Sequence, residues 1–199
     1  MLNRRRFLIT SLATGTLGIS PALAHKKGAR YKLPKKYMPQ EVNMPGNYPA
    51  GQVHVFPDDF YLYWTLPNGR AMRFGIGVGR KGLYHPGTFF VGRKVKWPKW
   101  TPTRAMIKRS PKRYLRFKDG VEGGINNPLG ARALYLFTRK RGDSLLRIHG
   151  TNNPRTIGVA VSNGCARLVN DQVKQLYAMV PKGSKVVLHP KSNAGPVHS

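Results

Sequence analysis

The chain carries one cysteine, Cys165, in the stretch VSNGCARLVN from Val161 to Asn170. A thiol can carry an acyl group if it meets three conditions. It needs a proton acceptor, donors for a developing oxyanion, and access to a substrate carbonyl. A free thiol titrates near ~8.5, so a base or a positive field must assist it at neutral pH. Gly164 lets the backbone turn sharply just before the sulfur. The N–H groups of Gly164 and Cys165 can then face one point, as oxyanion donors do. Arg167, two residues on, adds positive potential and can bind a carboxylate or a carbonyl. A lone thiol can instead be a dimer bridge or an inert core residue.

Six histidines are available as base. His25 and His198 sit near the chain ends, and His54 and His85 have no sequence link to Cys165. His189 ends the last predicted strand. His149, in RIHGT, ends a predicted strand, is followed by Gly150, and precedes the thiol by 16 residues. A connection of that length can bring both side chains to one rim. Spacing alone does not choose between this role and that of a half-buried strand histidine. One cysteine and scattered histidines show no zinc-type ligand spacing, and no cofactor motif is found, so neither metal nor cofactor is expected.

The elements that must position these groups read as mostly β. Gln52–Phe56, Phe60–Leu66 and Gly87–Trp97 have strand character. Asn68-Gly69 is a tight-hairpin signal between Phe60–Leu66 and the strand that follows. Residues 133–137 and 145–150 form a further strand pair, turned by Thr138–Ser144. Asn170, as N-cap, opens a helix to Val180, stopped by Pro181, with Val173, Leu176, Tyr177 and Val180 on its buried face. Residues 184–190 form the last strand. Trp97 to Asn127 reads as a long irregular insertion of the kind that is usually functional or mobile. Within it, Trp97 and Trp100 either form an apolar lip over a groove or pin the loop to the core.

The 199 residues hold 35 Lys and Arg against 7 Asp and Glu, a net charge of +28. Such a field attracts polyanions: nucleic acid, wall polymers or membrane surfaces. Location decides. Residues 1–24 carry Arg4 to Arg6, a modest apolar run and a terminal Ala22-Leu23-Ala24, the pattern of a cleaved export signal. RRRFL resembles a twin-arginine signal. The apolar run is too short and too rich in Thr and Gly for a stable membrane span. Residues 25–50 read as a basic, Pro-rich arm, 51–190 as the folded domain, and 191–199 as a loose tail. No nucleic-acid-binding motif is present.

IHGT (Ile148–Thr151) followed by SNGCARL (Ser162–Leu168) resembles the active-site signature of the L,D-transpeptidase catalytic domain, the YkuD-like family. GIGVGR, GTFFVGRK, WPKWTPT, NNPLGARALYL, TNNPRTIG and NDQVKQLYAMVPKGSKVVL resemble further blocks of that domain in order. The resemblance spans roughly Gln52 to His189. It implies a curved β-sandwich or barrel with a few short helices, one near the C-terminus. It implies Cys165 as nucleophile and His149 as base, with a carbonyl of Gly150 or Thr151 holding the imidazole tautomer. Ser162, Gly164 and Arg167 would shape the oxyanion and substrate site, with Trp97, Trp100 and Asn163 as possible groove lining. Two positions depart from the family's commoner pattern: Asn163 replaces a frequent second histidine and Ala166 a larger aliphatic. YHPGTF departs from a Thr-Pro-x-Gly-Thr-Phe form.

The implied activity is peptidoglycan acyl transfer in the periplasm or cell envelope, from a tetrapeptide stem to an amine acceptor. The same site would also serve L,D-carboxypeptidase or D-amino-acid exchange chemistry. A non-catalytic wall-binding module is the competing class. Stem peptides, and an anionic wall polymer, are the expected partners. The sequence leaves the acceptor and the oligomeric state open.

Overall fold

The computed structural model describes residues 31–192. The export-signal segment 1–24 lies outside them, as do residues 25–30 of the expected arm and 193–199 of the expected tail. The first strands are β1 (Gln40–Asn43), β2 (Val53–Phe56), β3 (Tyr61–Thr65), β4 (Arg70–Gly75), β5 (Val78–Gly79) and β6 (Gly87–Lys96). Two short helices follow, α1 (Arg104–Arg109) and α2 (Pro111–Tyr114). Next come β7 (Arg132–Thr138), β8 (Gly142–His149), β9 (Ala160–Ser162) and β10 (Ala166–Arg167). Helix α3 (Asn170–Met179) and strand β11 (Lys185–Leu188) complete the fold.

Nine strands form one sheet in the order β1-β4-β3-β2-β11-β6-β7-β8-β10, and β5 pairs with β9 in a second. The mostly β class and the C-terminal helix stand as expected from the sequence. The β3–β4 hairpin turns on Asn68 and Gly69, both at positive φ (58° and 67°), which is the type I′ geometry that this dipeptide favours. Most neighbours are antiparallel, but β11 runs parallel to β2 and β10 parallel to β8. Past β4, Gly77 exchanges both backbone hydrogen bonds with Arg167 of β10, each 2.9 Å. The far edge of the long sheet is thereby tied back to the continuation of β4, and the sheet curls towards closure.

Val53, Val55, Leu62, Phe74, Leu134 and Ile148 are fully buried in one core cluster, with Val173 and Leu176 of α3 and Val180 at its C-cap. The predicted apolar face of α3 is therefore the buried one, with Tyr177 half-buried at its edge. Lys94 of β6 donates to the carbonyls of Tyr177 and Val180 at 2.6 and 2.7 Å, capping the helix C-terminus. Asn170 does not cap the helix. The N-cap is Val169, and the Asn170 Oδ1 accepts from Ala131 N at 2.9 Å, stitching α3 to the chain entering β7.

Two segments are more ordered than their composition suggests. Within the expected arm, β1 pairs antiparallel with β4, and Tyr37 is buried. Gly75 and Gly158 make room for the Tyr37 ring, since a Cβ on either would overlap it. One aromatic anchor docks a stretch that has no alternating pattern. At the other end, Lys191 donates to Gly79 O at 3.0 Å, and Ser192 N donates to Asp58 Oδ2 at 2.6 Å, so the first two residues of the expected tail are held.

A methyl group at Gly77 would sit 2.2 Å from the Thr156 carbonyl oxygen, a backbone atom that cannot swing aside. Gly77→Ala should therefore lower the unfolding free energy by about 1–3 kcal/mol, as overpacking does, read from urea denaturation midpoints. An unchanged midpoint would show that the sheet closure is not tight there.

Candidate active site

The parallel pairing of β8 and β10 sets the site. Ile148 is opposite Ala166, and His149 is opposite Arg167. Because strand side chains alternate, Ile148 and Ala166 turn into the core and are buried. Arg147, His149, Cys165 and Arg167 all line the opposite side, in a cleft of about 920 Å³. Cys165, one residue before β10, and His149, the last residue of β8, thus line the same cleft. Parallel strands require a crossover of a dozen or more residues. That requirement explains the 16-residue spacing: the connection holds a 3-10 turn at Pro154–Thr156 and strand β9.

The sulfur sits on a strained turn. Gly164 has φ +120°, and a Cβ there would meet the Leu83 carbonyl at 2.8 Å. The buried Ser162 hydroxyl donates to Cys165 O at 2.6 Å and accepts from Gly164 N at 3.2 Å. This closes the turn from inside. It also engages the Gly164 N–H, which the sequence had offered as an oxyanion donor. The Cys165 N–H and the Arg167 guanidinium are the candidate donors that remain. Arg167 Nε is buried with no hydrogen-bond partner among the described residues.

The imidazole is held in one tautomer. His149 is buried, and its Nδ1–H donates to the Gly150 carbonyl at 2.5 Å. Of Gly150 and Thr151, Gly150 makes this contact. Nε2 is left with its lone pair, as a proton acceptor requires. Thr151 is buried and shapes the following turn, its hydroxyl accepting from Asn153 N at 3.0 Å. Burial, with repulsion from Arg167 and Arg147 outweighing the Gly150 bond, lowers the His149 pKa to about 3. Burial pushes the Cys165 thiol up, although the Arg147 backbone N–H and the charges of Arg147 and Arg167 pull the other way. Burial thus favours the neutral forms of both the thiol and the imidazole. Proton transfer to Nε2 can then accompany attack on a carbonyl.

Asn163 is a latch. Its Nδ2 donates to the Tyr114 hydroxyl at 2.9 Å, and its Oδ1 accepts from Arg109 Nη2 at 2.9 Å. The segment read as an irregular insertion therefore contains α1 and α2, docked over the cleft beside the thiol turn. Thr103 caps α1 by accepting from Met106 N, and Pro111 opens α2. Both helices are too short and too basic to show an apolar period. Trp100 lines the cleft and packs on Tyr114 and Phe117, at 6.3 and 5.8 Å between ring centroids. Trp97 is 43% exposed and does not line the cleft.

Residue reasoning missed the opposite wall. Leu145 sits at φ +63° in an irregularity of β8, 61% exposed and facing the cleft. Asp143 accepts from Leu145 N at 2.9 Å and grips Arg147 in a two-pronged ion pair at 2.6 and 2.9 Å. Asp143 and Ser144, read from the sequence as the end of a turn, instead lie inside β8, where their turn-forming character accompanies its irregularity. Among the described residues no three His, Cys, Asp or Glu side chains gather in a metal-sized group. None of their helices is long and apolar enough to cross a membrane.

The profile of the YkuD L,D-transpeptidase catalytic domain matches residues 50–188. An Escherichia coli protein named Probable L,D-transpeptidase ErfK/SrfK is 35% identical over 176 residues, 85% of this chain and 54% of that protein. The chain thus spans about half the length of this curated relative. A Brucella melitensis crystal structure, described as a probable carnitine operon oxidoreductase, is 43% identical. It covers 79% of this chain and 96% of that one, with a TM-score of 0.53. A cysteine-to-serine mutant of Enterococcus faecium L,D-transpeptidase shares the fold at 16% identity. Its TM-score is 0.53 over 71% of this chain and 50% of that one.

Two buried imidazoles make the fold sensitive to acid. His149 titrates at about 3, and His54, buried and repelled by His189 and Lys185, at about 4. In the unfolded chain both take a proton near ~6.5. Their neutral, folded forms are fully favoured above that value, and stability is lost as pH falls towards the folded values. Urea midpoints should decline from pH 7.5 to 4.5, less steeply in His54→Gln/His149→Gln. A flat wild-type profile would contradict the burial of neutral imidazoles.

Proposed function

The chain belongs to the L,D-transpeptidase catalytic-domain family, and on that premise we propose that it transfers peptidoglycan stem acyl groups through a thioester on Cys165. The observation that supports this reading is that Cys165, just before β10, and His149 of β8 line one cleft, with Nε2 left to accept a proton.

The cysteine sulfur attacks the carbonyl carbon of the L-to-D peptide bond before the terminal D-residue of a tetrapeptide stem. His149 Nε2 takes the thiol proton as the carbon–sulfur bond forms. The oxyanion is met by the Cys165 N–H and by Arg167, whose unpartnered Nε faces a buried environment. The carbon–nitrogen bond then breaks, the imidazolium returns its proton to the leaving amine, and a thioester remains. An acceptor amine attacks that carbonyl and gives its proton to His149. The thiolate leaves and is reprotonated by the imidazolium. With a stem-peptide amine as acceptor the product is a 3-3 cross-link, and with a protein lysine it is a tethered protein. Water at the same step would give an L,D-carboxypeptidase, and a free D-amino acid would give exchange.

The reaction is placed in the cell envelope. The export pattern of residues 1–24 and the excess positive charge support that location, the charge serving adhesion to anionic wall material. An oxidoreductase reading, the description given to the Brucella relative, would leave the stem's peptide bonds intact. Mass analysis of disaccharide-tetrapeptides after incubation separates the possibilities. The expected result is loss of the terminal D-residue with cross-linked or trimmed product. Cys165→Ala should abolish it with little change in thermal stability. Turnover by Cys165→Ala, or recovery of only intact tetrapeptides from the wild type, would overturn the proposal.

A further inference from the structure

The cleft around Cys165 is lined by Lys99, Arg109, Arg113, Arg116, Arg147 and Arg167, and by no aspartate or glutamate. Two of these cations are neutralised: Lys99 pairs with Glu122 at 2.6 Å and Arg147 with Asp143 at 2.6 Å. Arg109 is occupied by Asn163. Arg113 and Arg116 have no ion-pair partner among the described residues, and Arg167 makes only a long contact, 3.5 Å, to Thr156 Oγ1. Three cations are thus gathered at one concave surface with no ion-pair partner among the described residues. Such a gathering raises the energy of the empty site and is relieved by a ligand of opposite sign.

The free cations fall in two groups. Arg167 is beside the sulfur, on the strand face already described. Arg113 and Arg116 belong to α2 and the 3-10 turn after it. Their guanidinium carbons lie over Tyr114 and Phe117, at 5.4 and 4.6 Å from the ring centroids. A cation–ring contact of that kind leaves the N–H donors of these two exposed arginines available to an acceptor. Tyr114 is itself buried and bonded to Asn163, two residues from the nucleophile. The insertion therefore presents its arginines at the cleft that also holds the thiol. Burial lowers the Arg167 pKa, Cys165 and Tyr114 oppose that shift, and the charge of Arg113 adds to it.

We propose that Arg113 and Arg116 are specificity-determining residues that read free carboxylates of the acyl donor, selecting stems with unamidated acids over amidated ones. The inference rests on the transpeptidase reading for its substrate and deepens it. The donor would be a peptide bearing at least two carboxylates, one near Arg167 and another on Arg113 and Arg116. A bidentate guanidinium–carboxylate contact has no counterpart with a carboxamide, which carries no charge and only one acceptor oxygen. Replacing the acid should leave the cations unrelieved.

The test uses two synthetic disaccharide-tetrapeptide donors that differ only in carboxylate against carboxamide. Binding to Cys165→Ala is measured by calorimetry, which needs no turnover, and kcat/KM is measured with the intact thiol. The free-acid donor should bind about tenfold or more tightly, as expected when a charged hydrogen bond is lost. Arg113→Gln/Arg116→Gln should collapse the free-acid to amide ratio towards one in both measurements. Equal affinity for the two donors, or a ratio that survives in the double variant, would overturn the proposal. A polyglycerol-phosphate chain is run in parallel. If the double variant loses that ligand while keeping its donor preference, the arginines serve a wall polymer and the proposal falls. Should neither donor turn over while the binding preference holds, the transpeptidase reading fails and the carboxylate site stands.

Discussion

The parallel pairing of β8 with β10 is the constraint on which the site depends. Two register pairs, Ile148 with Ala166 and His149 with Arg167, send one residue of each strand into the core and its neighbour to the cleft. Slipping the register by one residue would bury the arginines and expose Ile148. The core and the site therefore enforce each other. Ile148 is fully buried beside Leu134, and its burial fixes where His149 must point. Gly77 completes the restraint by holding β10 from its other side.

Within that frame the site is polarised without being ionised. Burial favours the neutral forms of both the thiol and the imidazole, and the two nearby arginines oppose protonation of His149 while favouring a thiolate. A positive field that resists an imidazolium also stabilises an oxyanion. The arrangement is suited to developing negative charge on the substrate rather than to a standing ion pair. Asn163, where the family often has a second histidine, cannot titrate. It instead fastens Arg109 and Tyr114, so the position has a mechanical role in this chain.

Much of this was legible in the sequence, for identifiable reasons. The β2, β3, β6 and β11 strands have β-branched and aromatic runs, and the α3 face follows the 3.6 period, so both were readable. The thiol and imidazole stood out because each motif pairs a reactive side chain with a glycine. The link between them was not periodic, and it came from resemblance. Helices α1 and α2 were unreadable because six and four residues of mostly basic or polar type carry no apolar stripe. Strand β1 was missed because it is docked by Tyr37 and by the glycines that make room for it. Trp97 and Trp100 look alike in sequence. Trp97, at φ 46°, is exposed, whereas Trp100 lines the cleft.

Burial favours a thiol that is neutral at rest and gives up its proton as it attacks a carbonyl. The most direct test is the rate of Cys165 alkylation by iodoacetamide as a function of pH, followed by intact mass. The rate should keep rising through neutrality, with an apparent midpoint above the ~8.5 of an ordinary thiol. A plateau reached by about pH 6 would reveal a preformed thiolate–imidazolium pair and contradict it.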